Sequence, residues 1–291
     1  MKYLVVPKHI EGIHEMLSLA DAFLFGVFNL SVHFEHTYTI TELKPIITQL
    51  KESGKEVYLS CNRNFAKEDL KQLETTLEEI SKLPIDGLFF YDLAVLELVK
   101  TKYPHIPLIW DQEHMTTNEF TISFYETEGI SKVNLSTNLT LDELKIIKEH
   151  TKVPCIAPIF GYFPMFESKR HLVNNYLDTF SLKTSNGTYQ IEKEGKTYPI
   201  VDHNHGTTVY TSVPLNGLEE SILLKKTGMD YLLFQEFGIE QDTFIKVLEL
   251  YHKYEKTQDK KIKETLDKLL NGNYDLGFLY KKTVYKVKNY G

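Results

Sequence analysis

Asp202, His203 and His205 fall within four consecutive positions of the stretch VDHNHGTTVYTS, residues 201–212. Zinc and iron sites use imidazole and carboxylate ligands, and a His-x-His pair on an extended strand points both rings to one face. The same stretch also reads as the tip of a hairpin. TYPIV before it and TTVYTS after it are β-rich, and Asn204-His205-Gly206 between them tolerate the positive φ of a tight turn. Spacing alone leaves both readings open.

The other chemistry-bearing residues gather at the ends of apolar runs. Cys61, Asn62, Arg63 and Asn64 follow EVYLSC, Asp92 ends GLFFYD, and Asp111, Gln112, Glu113 and His114 follow PLIW. Asn138 follows KVNLS, Gly161, Tyr162 and ESKRH (167–171) follow PCIAPIF, and Gln235 and Glu236 end DYLLFQE. Singly, each such residue serves as readily as a helix cap or a loop hydrogen bond. Glu113 and His114 are an acid and a base side by side, but strand neighbours face opposite ways. Arg170, beside His171, carries the planar fork that grips carboxylate or phosphate, or forms a salt bridge. Cys155 lies inside an apolar run and reads as core, whereas Cys61 beside Asn62 and Arg63 is the better candidate thiol. No Gly-x-Ser-x-Gly elbow, His-Glu-x-x-His helix or phosphate loop is present.

The elements that must position these residues are legible as β-rich runs at 2–6, 22–27, 56–61, 87–92, 107–111, 132–136, 154–160 and 230–236. Segments of helical periodicity separate most of them. One helix opens after Thr39 and ends near Gly54; Thr140 with Glu143 forms a capping box for another, and Thr116 with Glu119 suggests a third. Strand, helix, strand repeated in this way implies parallel strands, and about eight of them close an α/β barrel of the TIM type. An open doubly wound sheet is the alternative, but no Gly-x-Gly-x-x-Gly follows any strand. The hairpin at 198–212 becomes an insertion between the seventh and eighth strands. Without a linker or low-complexity tract, residues 1–291 read as one barrel domain with a short basic C-terminal extension, LYKKTVYKVKNYG.

In such a barrel, function collects where strands end. Arg170, Glu236 and Asp92 are then the candidates for catalysis, and Asn62, Gln112, His114, Asn138, Gly161, Ser168, His171 and Asn175 for substrate binding. Composition narrows the class: 291 residues, 42% hydrophobic and 25% charged, describe an ordinary globular protein. The formal net charge of −7 disfavours nonspecific nucleic-acid binding, although the basic C-terminus supplies a local patch that reads as a final strand or an RNA-binding tail. No run approaches a membrane span and the N-terminus lacks a signal-peptide pattern, so a cytoplasmic location without membrane contact is expected.

CIAPIFGYFPMFESKRHLVNNYL (155–177) resembles the signature region of the collagenase-like peptidase family U32, with Gly161, Ser168, Arg170, Asn175 and Tyr176 at the matching positions. DGLFFYDLAVL, MTTNEFTISFYETEGISKVNLSTNLTLDEL, YPIVDHNHGTTVYTSVPLNGLE and LGFLYKKTVYKVK are similar to further family segments in the same order. In that pattern 198–212 is a hairpin, and nothing in it asks His203 or His205 to hold metal. Cluster-bearing members have cysteines where this chain has Pro164 and His171, and no cysteine follows Cys155. The resemblance therefore implies a short, cysteine-poor member, similar to the smaller of two paired proteins of prephenate-dependent wobble-uridine hydroxylation in tRNA. A cluster-bearing paralogue and tRNA are the implied partners, and a prephenate-like carboxylate the implied ligand. Peptide hydrolysis, as the family name has it, and a non-catalytic binding scaffold are the competing readings.

With Cys61 and Cys155 as the only thiols, the expectation is that no iron–sulfur cluster and no stoichiometric zinc is bound. Metal analysis after anaerobic purification should find both only at trace level; stoichiometric iron or zinc overturns it.

Overall fold

A computed structural model of the chain describes residues 1–112, 116–183 and 189–281. His114 and the basic segment from Lys282 onward lie outside the described residues. The strands, in chain order, are β1 (Lys2–Val6), β2 (Ala22–Val27), β3 (Thr37–Tyr38), β4 (Glu56–Cys61), β5 (Gly87–Phe90), β6 (Leu108–Trp110) and β7 (Ile130–Asn134). They continue with β8 (Cys155–Gly161), β9 (Pro164–Ser168), β10 (Tyr189–Lys193), β11 (Lys196–His203), β12 (Gly206–Tyr210), β13 (Leu215–Asn216) and β14 (Tyr231–Gln235).

Eight of these form a closed parallel barrel. The order runs β1-β14-β8-β7-β6-β5-β4-β2, and β2 pairs back to β1 through Leu4 with Ala22 and Val5 with Phe23. The eight apolar runs of the sequence are these eight strands. They read as unbroken hydrophobic stretches because barrel strands are covered on both faces, by interior side chains and by the outer helices. Every residue of β2, β5, β8 and β14 is buried.

Helix starts follow local chemistry. Thr39 and Glu42 make reciprocal bonds at the head of Ile40–Glu52, and Thr140 and Glu143 do the same for Leu141–His150. The suggested box at Thr116 is corrected. Asn118 caps Glu119–Thr127 by accepting from Thr121 N at 3.0 Å, while the buried Thr116 hydroxyl donates to Gln112 O. Asparagine holds the β-region backbone of a cap and offers a side-chain oxygen, so it takes the position two residues further on.

The insertion between the seventh and eighth barrel strands is larger than a hairpin. β11 and β12 do form the hairpin, with His203 opposite Gly206 and Asn204-His205 as the two-residue turn. β10 and β9 extend it to a four-stranded antiparallel sheet in the order β10-β11-β12-β9. The helix Leu172–Thr179 packs on this sheet, its Val173 and Leu177 meeting Ile200 in a small core separate from that of the barrel. β9 leaves the barrel only two residues after β8, so the sheet is tethered directly to the barrel mouth.

Gly206 sits where the hairpin presses on β9. Its φ is +142°, and a Cβ there would lie 1.9 Å from Ser168 O. Gly206→Ala should destabilise the protein by roughly 1–3 kcal/mol, because the backbone on both sides would have to move. Gly195→Ala, at φ +73° with open space around it, should cost less. Denaturant titration of the two variants checks the order.

Candidate functional site

The loop from Phe28 to His36, after β2, folds across the C-terminal mouth of the barrel. It is pinned by buried hydrogen bonds: Ser31 Oγ accepts from Val27 N at 2.7 Å and donates to Ser60 O at 2.6 Å, and Asn62 Oδ1 accepts from Val32 N at 2.9 Å. These bonds deliver His33 over the mouth with a φ of +70°, a region that non-glycine residues enter only when their surroundings enforce it. Gln235 Nε2, at the end of β14, donates to His33 O at 3.2 Å.

Beneath this loop a cavity of about 350 Å³ is lined by His33, Asn62, Asn64, Tyr91, Asp111, residues of β9 and Lys169. A chamber of about 70 Å³ adjoins it further down the barrel, sharing His33, Asn62, Asp111 and Pro164 and reaching Asn134 and Gln235. The first volume suits a small organic ligand. Asp111 accepts from Asn134 Nδ2 at 2.8 Å. Burial pushes its carboxyl above the ordinary value, against the opposing effects of Asn134 and His33.

β9 brings Glu167 to the other side of the cavity. His33 Nε2 lies 3.3 Å from Glu167 Oε2, near enough for an ionic contact, although its alignment falls short of a hydrogen bond. Burial raises the Glu167 carboxyl, but His33, His203 and Lys169 outweigh it and hold it below its ordinary value.

The hairpin histidines are engaged by their own strands. His205 N donates to His203 Nδ1 at 3.2 Å, so the neutral His203 ring carries its proton on Nε2, 3.1 Å from Thr208 Oγ1. Burial, with His33 nearby, pushes His203 down to about 4. Asp202 bonds the Thr207 hydroxyl and accepts from Asn174 N at 2.9 Å, which ties the hairpin to the helix Leu172–Thr179. Among the described residues, no group of three or more His, Cys, Asp or Glu is arranged to hold a metal ion.

The other candidates from the sequence fall in different surroundings. Asn62 lines the cavity and also pins the loop. Asp92 caps the helix Leu93–Lys102 through Ala94 N at 2.8 Å and accepts from Phe65 N at 3.0 Å. Gln112 lends its carbonyl to Thr116, and Asn138 N donates to Ser136 Oγ at 3.1 Å. Gly161, at φ +121°, lies so close to β14 that a Cβ would stand 2.3 Å from Gln235 O. Ser168 Oγ accepts from Arg170 N at 3.1 Å, and the carbonyls of His171 and Asn175 are taken up within or beside their helix. Arg170 is exposed near the tethered edge of the inserted sheet, and its guanidinium has no hydrogen bond or ion pair among the described residues. Arg63, by contrast, is spent on structure, donating to Asn29 O and Asn64 O and pairing with Asp69 at 3.0 Å.

Asp111, Glu167 and Gln235 stand among the strand-end polar residues, but no spacing rule raises them above their neighbours. His33 and Asn134 carry no sequence signal: one lies in an irregular loop, the other inside an apolar run. Both thiols are buried, and burial raises them, Cys155 to about 12 and Cys61 further.

The model of peptidase family U32 matches residues 11–289. The chain belongs to peptidase family U32. It is 25% identical over 304 aligned positions to tRNA hydroxylation protein P2 of Bacillus subtilis strain 168, covering 97% of this chain and 98% of that one. It is also 24% identical to the uncharacterized protease MJ0090 of Methanocaldococcus jannaschii, over 93% of this chain and 66% of the relative. Longer relatives match only in part: tRNA hydroxylation protein P of Haemophilus influenzae is 26% identical over 55% of this chain and 35% of its own length. Among solved structures, the U32 peptidase Mk0906 aligns with a TM-score of 0.48 and 13% identity, over 82% of this chain and 94% of that chain.

Glu236 stands beside the mouth, 1% exposed, accepting from Lys8 N at 2.6 Å. Burial raises its carboxyl from 4.5 to about 7, with Lys8 opposing and Glu35 adding to the rise. A folded-state value above the unfolded one contributes stability that is full below about pH 4.5 and is lost as pH rises through about 7. Glu236→Gln should therefore melt progressively higher relative to the parent as pH rises across that window. Parallel melting curves at each pH check it; a constant difference between the two proteins refutes the assignment.

Proposed function

We propose that the protein acts in prephenate-dependent 5-hydroxylation of wobble uridine in tRNA, as a subunit or paralogue that carries no iron–sulfur cluster. The observation that carries this reading is the end-to-end likeness to tRNA hydroxylation protein P2, 97% of one chain against 98% of the other. The cavity supports it physically. Its walls offer amide and imidazole groups and the Lys169 ammonium, which can meet a small anionic ligand, while the carboxyls of Asp111 and Glu167 set which side of the cavity its charge must avoid, and the exposed Arg170 can meet carboxylate or phosphate.

The partners in this reading are tRNA and a longer U32 paralogue bearing the cluster. The competing peptidase reading needs an activated nucleophile. Both thiols are raised by burial instead, which holds them in the protonated, unreactive form. Cys61→Ala should accordingly retain function.

The test is nucleoside analysis of tRNA from a strain lacking this protein and any redundant pathway. Wild type should restore 5-hydroxyuridine-derived modification. Arg170→Ala and Asp111→Ala should each restore it about tenfold less well, the loss of roughly 1.4 kcal/mol of ligand binding. Lys82→Ala, which breaks an exposed helix pair with Glu78, should restore it fully. Unchanged tRNA in the deletion strain would leave the hydroxylation reading without support and make peptide hydrolysis the assay to pursue.

A further inference from the structure

A larger cavity, of about 520 Å³, lies between the inserted sheet and the segment 275–281, and it shares Pro164 and Met165 of β9 with the mouth cavity. Its aromatic wall comes from Phe163, from Tyr198 of β11 and from Phe278. Phe278 is 40% exposed although the chain on either side of it is fixed: Asn216 N donates to Asp275 O at 2.9 Å, and Leu141 N donates to Leu279 O at 2.9 Å. A large ring held open by a pinned backbone is a stacking platform that loses little entropy when a ligand arrives. Hydroxyls stand beside it. Thr211 Oγ1 accepts from Phe163 N at 3.3 Å, which leaves its own proton to donate, and Ser212 lines the same cavity. Charge is the third feature. Asp275 is spent, accepting from Gly277 N at 2.8 Å and lying 3.7 Å from Lys281 Nζ. Lys196 lines the cavity with no side-chain hydrogen bond or ion pair among the described residues, so a positive charge stands unmatched here in a chain whose formal net charge is −7.

We propose that this cavity holds a nucleotide of single-stranded RNA, its base stacked on Phe278 and Tyr198 and its phosphate beside Lys196. Aromatic platforms joined to cations are how proteins hold single strands, since every base offers a face to stack. The hydroxyls of Thr211 and Ser212 meet the polar edge of the base. An acidic peptide is the rival occupant; it brings charge for Lys196 but no planar ring for the aromatic wall. The proposal rests on the hydroxylation reading above, in which two substrates must meet. At about 350 Å³ the mouth cavity has room for a small carboxylate but not for a nucleotide as well, and the wall shared at Pro164 and Met165 sets the two sites side by side.

Fluorescence anisotropy with the purified full chain tests it, using end-labelled hexauridylate, an abasic hexamer with the same phosphates and a hexaglutamate peptide. Hexauridylate should bind about tenfold more tightly than either of the others. Phe278→Ala should remove about tenfold of that affinity while the abasic hexamer binds as before, and Tyr198→Leu should do the same. Because Phe278 is partly exposed, its variant keeps the test standing if Tyr198→Leu does not fold. Lys196→Ala should weaken hexauridylate and the abasic hexamer alike and make the slope of log affinity against log salt shallower by about 0.7. Lys82→Ala should change nothing. Equal binding of hexauridylate and the abasic hexamer, tighter binding of the peptide, no binding of any probe, or a hexauridylate affinity indifferent to Phe278→Ala overturns the proposal. The titrations measure no modification and the deletion strain measures no binding. Failure of the first leaves the hydroxylation reading standing with its RNA held elsewhere, and unchanged tRNA in the second leaves the RNA site to be decided by the titrations alone.

Discussion

The mouth of this barrel depends on the buried bonds that hold the loop after β2 against β4. Ser31 bridges Val27 N and Ser60 O, and one residue on, Val32 N is taken by Asn62 Oδ1. Each is a backbone group that would otherwise be buried unpaired, so the side chains that satisfy them also decide the path of the chain. That path carries His33 into a left-handed conformation over the opening. From there His33 meets Glu167 through its ring and Gln235 through its carbonyl, joining β2, β9 and β14 in one arrangement.

The inserted sheet is the second partner in the site. Its strand β9 follows β8 so closely that it cannot drift from the mouth, and the hairpin is fastened to it with Thr207 opposite Ser168 and Thr208 opposite Glu167. The Thr207 hydroxyl lies 2.7 Å from Arg170 O and accepts from Leu172 N at 2.8 Å, so a buried hydroxyl turns the chain from sheet into helix. The histidines that look like ligands in the sequence are part of this framework. His203 is neutral because burial strips it of water, and its ring nitrogens are taken up by the hairpin itself.

The two ends of the barrel use charge differently. At the N-terminal end Lys2, Glu56, Tyr58 and Tyr231 close a compact network, with the Tyr231 hydroxyl 2.8 Å from Glu56 Oε2, and Lys132 lies over both tyrosine rings. Every carboxylate there is answered by a donor. At the mouth the amide oxygens of Asn134 and Gln235 have no such donor among the described residues, and the cavity opens beside them. That contrast between a satisfied floor and an unsatisfied mouth is the pattern expected of a barrel that binds at the C-terminal ends of its strands.

The sequence by itself determined the eight barrel strands, the capping boxes at Thr39 and Thr140, the parallel architecture and the presence of a hairpin at 198–212. These are local signals: apolar runs, capping spacings and turn residues act over a few positions, so they survive in a linear reading. It also placed Asn62 at a strand end. Tertiary structure alone decided the rest. Nothing near His33 in the chain marks it, because Asn62 and Gln235, 29 and 202 residues away, set its place. Asp92, which has the same strand-end position as Asp111, became a helix cap because the backbone N–H of Ala94 lay within its reach, whereas Asp111 met Asn134 on the neighbouring strand. The hairpin grew into a four-stranded sheet because β9 and β10, five residues each, found partners on either side of it. Which polar residues share a site is settled by barrel closure and by long-range hydrogen bonds, and neither leaves a periodicity in the sequence.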